Sequence, residues 1–223
     1  HYPTQFIRDV FEKAVGRKTN GYVISNGVND MFKPAPQPKP EVLKDKYCIV
    51  FTGRYSKEKS QMTLLKAVSK SKYEDKIQLI LCGNGPAENQ LRSWASKHLT
   101  NQPIMSFFSR GELLSILNYS DLYCHPAEAE LEGIACLEAI ACGLVPVIAD
   151  SADCATKNFA LDPHCLFPVN DSDSLASRID WFIEHPEEKA KLRERYIAES
   201  VRYDQTQCMK AMENMFLTEM VKK

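Results

Sequence analysis

Residues 47–86 read YCIVFTGRYSKEKSQMTLLKAVSKSKYEDKIQLILCGNGP. The stretch opens on one apolar run, Tyr47–Thr52, and closes near another, Ile77–Cys82. Between them Met62, Leu64, Leu65 and Val68 form a stripe at helical spacing. Strand, helix and strand in sequence make a βαβ unit, whose two strands lie parallel. Both strands are nearly continuous apolar runs, the pattern expected when helices cover both faces of a sheet.

The same alternation continues on the C-terminal side. Leu91, Trp94, Ala95 and His98 mark an amphipathic helix. Pro103–Phe107 reads as a strand, Glu112–Asn118 as a helix and Asp121–Cys124 as a strand. Ile134–Cys142 reads as a helix with Gly143 as its stop signal, followed by the strand Leu144–Ala149. Leu175, Ile179, Phe182 and Ile183 mark a further helix, and the last 35 residues read as two more. The fold class is therefore α/β, a Rossmann-like doubly wound parallel sheet with helices on both faces. On the N-terminal side, Thr4–Val15 reads as a helix with Ile7, Val10, Phe11 and Ala14 on one face, and Tyr22–Ser25 as a short strand. Then comes KPAPQPKP at 33–40, a stiff extended linker. The expected organisation is a tail and linker at 1–40, a sheet domain at 41–200 and a C-terminal helix within 201–223.

Composition narrows the function. The chain has 223 residues, 44% apolar and 26% charged, ordinary for a globular domain. No apolar run reaches the ~18 residues of a membrane span. Lys and Arg number 28 against 29 Asp and Glu, a net charge of −1. A general nucleic-acid surface needs a basic surplus, so nucleic acid is not an expected partner. The eight cysteines contain no C-x-x-C pair, and Cys48, Cys82 and Cys124 fall in strand runs. They read as reduced core thiols of a cytoplasmic protein. The one Asp-x-Asp pair, Asp171 and Asp173, precedes a helix and reads as a cap rather than a metal site. No metal and no cofactor is expected. The first residue is His, and the chain reads as a fragment.

In an open parallel sheet, ligands bind beyond the carboxyl ends of the strands. Three loops lie there. Gly53–Ser60 carries Arg54, Lys57 and Lys59; Gly83–Pro86 follows the second strand; 125–143 reads HPAEAELEGIACLEAIACG. In the last, Glu130 and Glu138 are separated by seven residues. Gly133 sits at the expected helix start, with Glu130 in the loop before it and Glu138 on the second turn. The amides of Gly133, Ile134 and Ala135 are free donors at the positive end of that helix. Phosphates take amides, Arg and Lys; sugar diols take carboxylates. These loops supply both sets.

The 125–143 segment resembles the E-x7-E signature of retaining glycosyltransferases of the GT-B fold, family 4 in particular. GRYSKEKS at 53–60 is similar to that family's G-R-x-x-x-E-K-G loop, LILCGNGP at 79–86 to its hydrophobic G-x-G-P strand end, and ISNGVNDMF at 24–32 to the opening of its second domain. The likeness spans roughly residues 22–200 and implies the C-terminal, donor-binding half of a GT-B fold. It implies a metal-independent transfer of a sugar from a nucleoside-diphosphate sugar, such as a UDP-sugar, to a glycan or lipid-linked acceptor, as in polysaccharide biosynthesis. Arg54 and Lys59 would bind the diphosphate. Glu130 would hold the donor sugar and Glu138 the ribose, with Gly133, Ile134 and Ala135 approaching sugar and phosphates. Gly53, Gly83 and Asn84 would complete the donor site, and Arg54, Lys59 and Glu130 would carry the catalysis. Acceptor choice would belong to a missing N-terminal domain, through which the protein could associate with a membrane.

Four positions depart from the pattern: Ser60 for Gly, Asn84 for Asp, Ala127 for Ser or Thr, and Glu132 for an aromatic. A third carboxylate beside a diphosphate is unfavourable unless it points away or contacts the sugar. His125 reads as a ligand contact or as a satisfied structural histidine. In the last helix Met209, Met212, Phe216 and Met220 share a face; that face packs on the chain's own sheet or meets the missing domain. The rival class is a non-catalytic Rossmann-like nucleotide-binding or regulatory module. A response regulator would need acids at the first strand end, where Arg and Lys stand. A dinucleotide oxidoreductase would need G-x-G-x-x-G there, where Gly53 stands alone.

Overall fold

The computed structural model describes residues 1–221. The expected C-terminal helix runs on to 223, and residues 222–223 lie outside the described residues. In chain order the elements are helix α1 (Gln5–Val15), strand β1 (Tyr47–Thr52), α2 (Gln61–Lys70), β2 (Ile77–Cys82), α3 (Glu88–His98), β3 (Ile104–Ser106), α4 (Arg110–Tyr119), β4 (Leu122–His125), β5 (Ala129–Glu130), α5 (Ile134–Ala141), β6 (Pro146–Asp150), β7 (Asp153–Cys154), β8 (Leu166–Pro168), α6 (Ser172–Glu184), α7 (Pro186–Ser200) and α8 (Gln205–Val221).

Six strands form one parallel sheet in the order β3-β2-β1-β4-β6-β8. Chain order grows outward from β1 in one direction and then, from β4, in the other. The reversal between β1 and β4 leaves a crevice at their carboxyl ends, the place where doubly wound sheets bind ligands. Helices cover both faces, so β1 and β2 bury nearly every residue. That two-sided cover is why these strands show no alternation. All eight cysteines are free and buried, as expected of core thiols.

Some elements differ from expectation. Tyr22–Ser25 forms no strand; only a single bridge joins Val23 to Tyr2. The edge strand β8 and the small β5·β7 sheet were not expected. Strands of two or three residues offer no period to read, and β8 ends on Pro168, at home only at an edge. Glu130, expected in a loop, lies in β5, where it pairs with Cys154. Residues 33–40 run extended along the domain. The Ala35 amide donates to Asn118 Oδ1 at 2.6 Å, and Lys39 pairs with Asp121. Asp171 caps α6, accepting from the Asp173 and Ser174 amides.

Two apolar faces stay open. Val10 and Phe11 of α1 are exposed, although they belong to the stripe that predicted the helix, and so is Val15. On α8, Met209, Phe216, Leu217 and Met220 are exposed, while Cys208 and Met215 are the buried positions. The expected methionine face thus does not pack on the chain's own sheet.

Candidate active site

The loop after β1 is built by contacts to the loop after β2. Gly53 donates to the Cys82 carbonyl at 3.0 Å, and the Tyr55 amide to the Asn84 carbonyl at 2.8 Å. The Tyr55 ring is wholly buried, and its hydroxyl donates to the Leu81 carbonyl at 2.6 Å. Gly83 permits this approach, because a Cβ there would stand 2.0 Å from the Gly53 carbonyl oxygen. Tyr55 is therefore the internal post of the first loop, and Arg54 beside it is held at the surface. Nothing in periodicity or composition singled out Tyr55. Asn84 is exposed and contributes its carbonyl to this joint.

The first loop is also stapled to the third. The Glu128 amide donates to the Glu58 carbonyl at 2.7 Å, and Ser60 Oγ donates to Glu128 Oε1 at 2.8 Å. Ser60 has a φ of 50°, in the left-handed region. That explains why glycine suits this position in the resembled motif. Here the Glu128 bond offsets the strain.

Lys59 and Glu130 form an ion pair across the crevice, with about a fifth of each side chain exposed. His125, 1% exposed at the end of β4, places Nε2 at 3.7 Å from the Glu130 carboxylate. Burial pushes the His125 pKa down to about 4; Glu130 raises it and Lys59 lowers it. The imidazole is thus neutral at pH 7. It was expected to be either a ligand contact or a satisfied structural residue. It is not satisfied, because Nε2 has no hydrogen-bond partner.

Helix α5 begins at Gly133, whose φ is 83°. Its first bonds are the Cys136 and Leu137 amides to the Gly133 carbonyl. The amides of Gly133, Ile134 and Ala135 stand ahead of that ladder, at the positive end of the helix dipole. Glu138, on the second turn, is partly buried, and burial raises its pKa to about 7 against the opposing pull of Arg110. Arg110, at the start of α4, was not expected here. A Cβ on Gly133 would lie 2.1 Å from Thr156 Cγ2. Gly133→Ala should therefore cost about 2 kcal/mol in urea denaturation, from left-handed strain and the overlap together. An unchanged midpoint would mean that the helix start can shift freely.

Glu132 points away from the crevice. It is buried and accepts from Ser25 Oγ at 2.5 Å, from the Asn26 amide at 2.9 Å and from Asn26 Nδ2. The third carboxylate is thus a tie to the 24–32 segment and adds no charge beside Glu130. Beside Glu132 lies a cavity of about 790 Å³, lined by Glu132, Phe6, Ile24, Phe159 and Tyr203 among others. It contains none of Arg54, Lys59, Glu130 and Glu138. Asp171 and Asp173 lie with α6, and among the described residues no cluster of acids, His or Cys suits a metal ion.

Lys59 and Glu130 thus meet beside His125 at the carboxyl end of β4, and the start of α5 adjoins them, a Cβ on Gly133 standing 3.3 Å from Glu130 Cγ; Arg54 and Asn84 are exposed on the loops after β1 and β2. Residues 32–199 match the family model described as glycosyl transferases group 1. Among solved structures, the catalytic domain of cholesterol-alpha-glucosyltransferase from Helicobacter pylori is 43% identical, with a TM-score of 0.68. That match covers 70% of this chain and 98% of the other. HepE from Anabaena, in complex with UDP-glucose, is 20% identical with a TM-score of 0.86, covering 97% of this chain and 63% of the other. Sucrose-phosphate synthase from Thermosynechococcus elongatus is 16% identical with a TM-score of 0.84, covering 100% and 58%. The chain therefore spans about three-fifths of the length of these last two. Comparison with curated proteins gives no match. The match over residues 32–199, most of the chain, leads to one conclusion: the chain belongs to the group 1 glycosyl transferases.

Proposed function

We propose that this chain is the donor-binding half of a retaining, metal-independent glycosyltransferase of family 4, and that it binds a UDP-sugar in the crevice between β1 and β4. The observation that carries this reading is the convergence of Lys59, Glu130 and the α5 N-terminus at the switch point. Arg54 and Lys59 face the diphosphate and stabilise the charge that develops as it leaves. The α5 amides approach the phosphates and sugar. Glu130 accepts from hydroxyls of the sugar and Glu138 from the ribose diol. Cations and amides then do what a metal would otherwise do, so affinity should be indifferent to a chelator.

In the transfer the bond from the anomeric carbon to the diphosphate oxygen breaks. A bond from that carbon to the acceptor oxygen forms, and the acceptor proton passes to the leaving group or solvent. The Helicobacter pylori relative is named for glucose and cholesterol. On that ground we take glucose as the donor sugar and a sterol as the lipid acceptor. Acceptor binding falls to a second, N-terminal domain that covers the open faces of α1 and α8 and can bring the enzyme to a membrane. Among the described residues no helix is long and apolar enough to cross one. Eight buried free thiols suit a reducing cytoplasm.

Calorimetry with UDP and UDP-glucose tests the roles. Glu138→Ala should weaken both ligands about tenfold, since both carry the ribose. Glu130→Ala should weaken UDP-glucose by a similar factor and leave UDP within twofold. Equal losses for both ligands in Glu130→Ala would remove the sugar from Glu130.

A further inference from the structure

The carboxylate assigned to the sugar stands at the end of a buried polar chain. Thr52 Oγ1 lies 3.3 Å from the Tyr123 hydroxyl, and that hydroxyl lies 3.3 Å from His125 Nδ1. His125 Nε2 then faces Glu130 at 3.7 Å. The chain thus runs from the end of β1 through β4 to the crevice. Tyr123 is fully buried and His125 nearly so, which makes each unmade bond costly. Yet Nε2 has no partner. A nitrogen so placed, and aimed at a carboxylate held by the Lys59 ammonium, is half of a contact still to be made.

We propose that His125 is a positioning residue for Glu130: its Nε2–H takes over the carboxylate when Lys59 swings to the donor diphosphate, and so fixes Glu130 for the sugar. The inference rests on the assignment of Glu130 to the sugar given above.

The direction of the polar chain follows from donor and acceptor inventory. Tyr123 is strongly held in its neutral phenol form by burial, so its hydroxyl has a proton to give. Given to Nδ1, it leaves the imidazole proton on Nε2, facing Glu130. The Thr52 hydroxyl can in turn donate to the Tyr123 oxygen. A neutral imidazole suits the task. It donates one directed bond to an ionised carboxylate and adds no charge that would compete for the sugar. An outer partner that orients a ligand-holding group in this way acts as the carboxylates and carbonyls behind metal-binding histidines do.

The ion pair supplies the switch. With no ligand, Lys59 and Glu130 neutralise one another. A diphosphate draws the Lys59 ammonium away, and Glu130 Oε2 would be left without its partner, while Oε1 keeps the Leu131 amide at 3.2 Å. His125 is the donor within reach, and a shift of less than about 1 Å brings 3.7 Å to hydrogen-bond length. Sugar affinity is thereby coupled to diphosphate binding through Lys59.

The test uses UDP and UDP-glucose as probes on the 223-residue chain, and reads the ratio of their dissociation constants. His125→Leu removes the donor while keeping an apolar fill. It should weaken UDP only about twofold, the loss of the bond that replaces Lys59, and UDP-glucose about twentyfold, because the sugar also loses its fixed carboxylate. His125→Gln, whose amide can donate from a similar place, should recover most of that loss. Tyr123→Phe frees the tautomer and should weaken UDP-glucose about threefold with UDP unchanged. A purely structural role would move both ligands together and would not be rescued by Gln. An unaltered ratio in His125→Leu would overturn the proposal, as would equal losses for both ligands. If His125→Leu does not fold, Gln and Phe carry the test, and an unaltered ratio in Tyr123→Phe overturns the relay. Glu130→Ala separates the two readings. If it discriminates UDP-glucose from UDP while the His125 variants do not, only the relay fails; if it does not discriminate, the sugar assignment fails first.

Discussion

Replacing Arg54 and Lys59 together by Ala should weaken UDP binding by about 3–4 kcal/mol, a few hundred-fold, since each charge-assisted bond contributes about 1.5–3 kcal/mol. The two residues occupy the same loop after β1, but the structure gives them different ligand-free states. Arg54 is exposed and its carbonyl is held by Gln61 Nε2 at 2.6 Å. Lys59 is paired with Glu130. Arg54→Ala should therefore lower affinity with no change in thermal stability. Lys59→Ala should lower affinity and also cost a little stability, because Glu130 loses its partner. The pair share one ligand, so their effects will not add simply. Lys57, exposed in the same loop, is the control, and Lys57→Ala should bind UDP normally. Calorimetry in chelator-containing buffer measures all four proteins. A double variant that keeps its UDP affinity within threefold would place the diphosphate elsewhere.

The residues that the sequence offered for the candidate site share one property: they are chemistry at a fixed spacing. Glu130 and Glu138, the glycine that starts α5 and the cations after β1 are set by local chain geometry, so counting residues finds them. The strands β1 and β2 fall where their apolar runs placed them, because burial on both faces leaves a run that needs no partner to be read. What escaped was non-local. Tyr55 matters because its hydroxyl reaches the Leu81 carbonyl, 26 residues away. Glu132 was left between pointing away and contacting the sugar; what decides it, Ser25 and Asn26, lies more than 100 residues back. The stripe of α1 predicted a helix correctly and left open what covers it, since amphipathic spacing states that a face needs covering without naming the cover.

Acid should act on this fold through two desolvated groups of opposite effect, one buried and one partly buried. His125 is faced by Tyr123, Glu130 and Lys59, and burial is the main cause that holds its pKa near 4 against an ordinary value of 6.5. Between those values the unfolded chain binds a proton that the native chain does not. The stability from His125 is whole above pH 6.5 and is lost as pH falls toward 4, in total about 3 kcal/mol at about 1.4 kcal/mol per unit. Glu138 works the other way. Its pKa is raised from 4.5 to about 7 by burial, so the native chain holds a proton that the unfolded chain releases. Its burial therefore costs stability above pH 7, and the cost fades as pH falls toward 4.5. Glu138 is only partly buried and solvent screens it, so its effect is the smaller. Glu12, held near 2 by Lys18, Thr19 and Arg8, changes its contribution only below about pH 4.5. In the window from 4.5 to 7 the two site residues oppose one another, and the wild-type curve alone is ambiguous. The variants separate them. Urea midpoints should show His125→Gln gaining on wild type steadily from pH 7 to 4.5, whatever fixed offset the substitution carries. Glu138→Gln should exceed wild type at pH 8 and lose that advantage by pH 5. A gap between wild type and His125→Gln that stays constant with pH would mean that the imidazole is reached by water and is not held neutral beside Glu130.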